Sequence, residues 1–224
     1  MAQELGKMPK PEAASFKDKK KLFVVPLVYT WAEAAKGYQE LFDRYWQQVE
    51  HQLDNLESRI GYIKHIYHES IFEGGEAGLK SLEKVSLPSF RLSQERVSRG
   101  ASLDVVEDRE LVQESLDWER FLMIGFSSHK VANIVSENFS RVMKARYEHV
   151  ASAIKGSLGD DEAGVLFIRE GHMVQFPPEI EVFSVAPPAL DEMHRFLRDQ
   201  PEECDHEEGE HDHGTAKEEK EQSA

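Results

Sequence analysis

Leu22-Phe23-Val24-Val25-Pro26-Leu27-Val28-Tyr29 is a short, nearly continuous apolar run, the pattern of a strand covered on both faces. Pro26 within it points to an edge position or a bulge, because proline gives no N–H to a ladder. The period then changes. Tyr38, Phe42, Tyr45, Trp46, Val49, Leu53 and Leu56 recur at spacings of three and four, which predicts a long amphipathic helix terminated by Gly61. Tyr62 to Tyr67 reads as a second strand. Strand, helix and strand in this order predict a right-handed βαβ unit with parallel strands.

Further along, Glu73-Gly74-Gly75-Glu76 marks a turn and Ala77 to Val85 a short helix. From Ser89 to Lys155 there is almost no strand signal, and three helices are expected over about 89–99, 104–124 and 129–156. Strand character returns at Gly164 to Ile168 (GVLFI), at Met173 to Phe176 and at Glu181 to Val185, with turns at Glu170-Gly171 and Pro177-Pro178. A closing helix follows Pro187-Pro188, since proline fits a first helical turn. The expected fold class is α/β: a central, mostly parallel or mixed sheet with a large helical middle layer (about 89–156), in one domain over 21–200. A flexible lead-in (1–20) precedes it and a disordered acidic tail (201–224) follows.

The chain has 224 residues and a formal charge of −15. Residues 201–224 hold 10 acids against 2 bases, leaving 32 acids and 25 bases before them. So acidic a body argues against nucleic acid as a partner. No apolar run approaches the roughly 18 to 20 residues that span a bilayer, and Met1 to Lys21 lacks the apolar core of a secretory signal, so no membrane partner and a cytoplasmic location are expected. The single cysteine, Cys204, lies in the tail, which excludes an intramolecular disulfide and a cysteine zinc site in the core.

Chemistry-bearing residues gather at two strand ends. His65, His68 and Glu69 close the second strand, at the edge where ligands collect in open α/β sheets. Alternation sends His65 and Glu69 to one face and His68 to the other. A zincin motif is ruled out, because Phe72 stands where the second histidine belongs. Arg169-Glu170-Gly171-His172 follows the GVLFI strand and offers an imidazole as metal ligand or general base, or forms a plain hairpin turn. Glu107-Asp108-Arg109-Glu110, Asp117-Trp118-Glu119-Arg120, Arg146 and His149 have the spacings of exposed helix pairs. In the tail, His206, His211 and His213 lie among acids and hold a divalent transition metal weakly at best.

A strand and helix, a second strand ending in Glu69, a helical middle, Arg146 on a long helix, and a later strand ending in Gly171-His172 resemble the superfamily of TraB/Tiki-type proteins, ChaN and the erythromycin esterases. That resemblance implies a shared pocket for metal-dependent proteolysis, haem handling or ester hydrolysis. Where those proteins carry a histidine motif after the first strand, this chain reads Tyr29-Thr30-Trp31-Ala32. No Walker loop, Rossmann glycine fingerprint or nucleophile elbow is present. The expectation is therefore a non-catalytic binding or interaction module, whose aromatic helix (Tyr38, Phe42, Tyr45, Trp46) meets a protein partner or a second copy. The alternative is a metal-dependent hydrolase with Glu69, Arg146 and His172 as catalytic residues and His68 and His172 as ligands of a divalent transition metal.

Overall fold

β1 (Lys20–Leu27) and β4 (Ala163–Arg169) pair in parallel, Val24 opposite Leu166 and Val25 opposite Phe167. These apolar runs need cover on both faces, and a computed structural model, which describes residues 19–199, supplies it. The remaining strands are β2 (Ile63–His68), β3 (Ser102–Asp104) and β5 (Ile180–Ser184). All five run parallel in the order β3-β2-β4-β1-β5. The helices are α1 (Lys36–Ile60), α2 (Gly75–Val85), α3 (Leu87–Ser98), α4 (Arg109–Ile124), α5 (His129–Ser157) and α6 (Pro188–Asp199).

Alternating side chains divide the core between the two faces of the sheet. Phe23, Val25, Ile66 and Phe167 pack with Tyr45, Val49, Leu82, Leu92 and Leu190, so α1, α2, α3 and α6 cover one face. Leu22, Val24, Tyr67 and Leu166 pack with Val150, Ile154 and Leu158, so the C-terminal half of α5 covers the other. The helical middle is thus not one layer: α3 and α5 lie on opposite faces. α4 packs chiefly on α5.

Several details depart from the sequence expectation. β1 is an interior strand, although it contains Pro26. β5 pairs with it only from Lys20 to Val24, and the Val24 carbonyl, which points toward β5, receives the Val185 N–H. Pro26 has the parity of Val24 and lies past the last β5 pair, so its missing N–H leaves no ladder bond unmade. β1 and β2 are parallel as expected, but β4 lies between them. The middle contains a strand after all, the three-residue β3 on the sheet edge. α4 starts at Arg109 rather than near 104, where the Asp108 carboxylate caps it by accepting the Leu111 N–H at 2.9 Å. Met173 to Phe176 is not a strand, and the β4 that it follows already has β2 and β1 on its two sides and cannot take it as a hairpin partner. The turn at Glu170-Gly171 is likewise no hairpin, since β4 and β5 both run parallel to the β1 between them.

The aromatic stripe of α1 belongs to the core rather than to a surface. Tyr38, Tyr45 and Trp46 are buried, and Phe42 is partly buried against them. No helix among the described residues is long and apolar enough to cross a membrane.

Candidate functional site

Chain continuations diverge at the carboxyl end of β4. After β1 and β2 the chain packs on the α1 side through Leu27, Val28 and Ile71, whereas Val174 and Phe176 after β4 pack on the α5 side. Such divergence opens crevices beyond the strand ends, where ligands bind in open α/β sheets. Arg169, the last residue of β4, stands there, and its Nε donates to Glu69 Oε2 at 3.3 Å. Glu69 is buried just past β2, where its backbone N–H donates to the Phe167 carbonyl at 3.0 Å.

A second ion pair lies alongside. Arg146 on α5 donates from Nε to Glu107 Oε2 at 2.9 Å and from Nη2 to Oε1, and both residues are buried. Burial pushes the Glu107 carboxyl upward, and Arg146 opposes this. Burial would lower the Arg146 pKa, but the Glu107 carboxylate outweighs it and holds the guanidinium more firmly protonated. Tyr147, one residue along α5, is raised by burial, as is Tyr29 beyond β1, where the Glu69 charge adds to the effect.

Gly171 takes a left-handed φ of 74°, which a side chain would strain, at the turn that leads from β4 to His172. The Val174 N–H donates to His172 Nδ1 at 3.3 Å, so the ring proton of the neutral imidazole sits on Nε2. Burial lowers the His172 pKa, with the Glu69 charge pulling the other way, which places the two within electrostatic reach. Glu69, Arg146 and His172 thus share one neighbourhood, but Arg146 spends its fork on Glu107.

His68 stands apart from that group. Its ring is buried on the opposite face, where Nδ1 accepts the Ser70 N–H at 3.2 Å and Nε2 meets Ser89 Oγ at 3.3 Å. Burial drives its pKa down to about 3, so it is neutral at ordinary pH. His65 follows the Glu69 face but sits further back, with Nδ1 2.6 Å from Asp104 Oδ2 and Nε2 3.1 Å from Glu162 Oε2. Among the described residues no three His, Cys, Asp or Glu side chains converge as a cation site. His206, His211 and His213 lie outside the described residues.

Two participants escaped the sequence reading. Glu107 looked like one half of an exposed helix pair, yet it precedes α4 and is buried, as is its neighbour Val106. The apolar pair Val105-Val106 before it was the available signal. Arg169 reads in the sequence only as the first residue of the Arg169-Glu170-Gly171-His172 turn. Beside Arg169, α5 and the segment from Gly171 to Gln175 bound a cleft of about 680 Å³. A smaller cleft of about 200 Å³ holds His172 among the ends of β1, β4 and β5. No known protein family matches the chain, and no characterised protein or solved structure shows significant similarity to it.

Proposed function

We propose that the protein is a non-catalytic interaction module that pairs with a second copy of itself through the α4–α5 hairpin. The observation that carries this reading is the apolar surface around the hairpin's turn. α4 buries only Ser115 among its sixteen residues, while Met123 and Ile124 are 80% and 74% exposed. Phe121, Val131 and Ile134 are exposed as well. Such a cluster goes beyond singly scattered surface residues and marks an interaction site.

One side of the hairpin suits a twofold pairing. Glu114, Trp118 and Phe121 recur along α4 at helical spacing, as do Ile134, Asn138 and Arg141 along α5. Trp118 Nε1 and Arg141 Nη2 both donate to Glu114 Oε1, at 3.1 and 3.2 Å, which puts the two rows on one side. α4 is about 24 Å long and two helices side by side are about 20 Å wide. The face therefore offers on the order of 500 Å² in projection and more in accessible area, the scale of the roughly 800 Å² per partner of a standard interface. Two hairpins facing each other in opposite directions complete a four-helix bundle. Residues 121–136 contain no Asp or Glu, so Lys130 near one turn would approach Glu110 at the partner's hairpin root.

Sedimentation velocity over a wide concentration range tests this. The expected result is a monomer–dimer equilibrium that Phe121→Glu or Ile134→Glu moves to monomer, with an unchanged circular dichroism spectrum. A wild type that stays monomeric at several hundred micromolar overturns the reading.

One observation favours a second reading, hydrolysis by Glu69 and His172: burial shifts the His172 imidazole toward its neutral form within electrostatic reach of the Glu69 carboxylate, as a general base requires. The Arg146–Glu107 pair argues against the role of Arg146 in it. Turnover of p-nitrophenyl acetate, with or without added Mn²⁺ or Zn²⁺, that disappears in both His172→Ala and Glu69→Gln would establish the hydrolase and overturn the non-catalytic reading.

A further inference from the structure

The cleft beside Arg169 is a second place where the molecule offers a formed surface, and the α5 side chains that line it are other than the Ile134, Asn138 and Arg141 of the pairing face. Its volume of about 680 Å³ falls within the roughly 300–1,000 Å³ of small-molecule sites. Phe139, Met143 and Tyr147 from α5 and Met173 from the facing segment supply its apolar walls. Methionine and aromatic side chains accept irregular apolar shapes, so the walls favour an extended hydrocarbon or ring body over a sugar or peptide backbone.

The polar groups are lopsided. Arg169, Lys144, Ser140, Tyr147 and Gln175 are among the lining residues, and all can donate; Glu148 is the one carboxylate there. Glu148 faces Lys144 only loosely, at 3.8 Å, on the outer surface of α5. Arg169 is fixed from behind. Its Nε is bound to the buried Glu69, its side chain is 41% exposed, and among the described residues no other carboxylate lies within ion-pair distance of it. A guanidinium held by one edge keeps its other edge available for a bidentate contact with an anion.

We infer that this cleft binds an amphipathic anion, an apolar body ending in a carboxylate or phosphate monoester that Arg169 receives. Glu69 acts as a positioning residue: it aims the guanidinium and touches no ligand.

Binding of dodecanoate, dodecyl phosphate and the uncharged methyl dodecanoate to the full chain, followed by isothermal titration below their aggregation limits, tests the inference. At least one of the two anions binds saturably and at least tenfold more tightly than the methyl ester; which of them binds better distinguishes the carboxylate source from the phosphate source. Arg169→Gln removes that preference, and Met143→Trp, which fills the cleft without touching Glu69, weakens the anion at least tenfold. The inference is overturned if the ester binds as well as both anions, if none binds saturably, or if anion binding survives Met143→Trp unchanged in a protein that remains folded. Self-association can persist or fail in any of these cases, so the two proposals stand apart.

Discussion

Arg146 and Glu107 meet fork to fork across 39 residues of sequence, and the exposures of their side chains are 5% and 1%. The contact ties the middle of α5 to the segment between β3 and α4. Removing one member strands the other charge in the core, which typically costs about 3–5 kcal/mol, whereas replacing both by apolar residues is often neutral. Arg146→Met is therefore expected to lower unfolding stability in urea by about 3 kcal/mol or more, and Arg146→Met with Glu107→Leu to recover most of that loss. A single substitution that costs under 1 kcal/mol would show that the pair does not hold the fold together.

The parts of the fold legible in the sequence are those whose burial repeats with a clean period. GVLFI at 164–168 and the aromatic stripe of α1 are long or strong enough to be read alone, and both become core. Strand order is another matter: it depends on β4 inserting between β1 and β2, contacts made across about 140 and about 100 residues of sequence. β3 is three residues long, with Leu103 alone apolar between Ser102 and Asp104, too short for any period. Met173 to Phe176 has strand composition but follows β4, whose two sides are already taken by β2 and β1. At the site, Glu69 and His172 were visible as polar residues at strand ends. Glu107 was not, because an acid that opens a charged run looks solvated until Arg146 is known to face it.

His68 gives the stability a pH dependence. Its ring is buried against Phe167, with Ser70 and Ser89 as its polar partners. The folded pKa is lowered to about 3 by burial, so the unfolded chain, titrating near the ordinary value of 6.5, binds the extra proton between these two values. The contribution is present in full above about pH 6.5 and is lost as pH falls toward 3, at up to about 1.4 kcal/mol per pH unit. Urea unfolding of the wild type at pH 7 and pH 4, beside His68→Gln, measures it. The variant's loss between the two pH values should be smaller by about 3 kcal/mol; equal losses would mean that His68 already titrates normally in the fold.

Tyr45 compensates for Pro26. The proline carbonyl lies past the end of β5 pairing and receives the Tyr45 hydroxyl instead of a strand N–H. Tyr45 is fully buried, so Tyr45→Phe keeps the ring packing and removes one bond from a partly buried acceptor. The expected cost is about 1–3 kcal/mol. Amide exchange should read the change locally, with faster exchange at the C-terminal end of β1 than in the wild type; uniform protection would place the acceptor in contact with water.

Two helical glycines should respond in opposite directions. Gly78 lets α2 lie close to β3: a Cβ there would come within 2.0 Å of the Glu73 carbonyl oxygen and 2.9 Å of Leu103 Cδ2. The oxygen is backbone of the turn that leads into α2, so Gly78→Ala must displace that turn from the start of the helix, with Leu103 on the edge strand giving way as well. Overpacking of this kind costs about 1–3 kcal/mol, enough to exceed the roughly 1 kcal/mol that alanine gains in helix propensity. Gly156 lies near the end of α5 with nothing within 4 Å of the same position. There the propensity gain meets no opposing contact, and Gly156→Ala should stabilise by about 0.5–1 kcal/mol. Thermal unfolding of the two variants beside the wild type decides the matter: a lower midpoint for the first and a higher one for the second follow from the close approach of Glu73 and Leu103 at Gly78, and equal shifts in one direction would rule that close approach out.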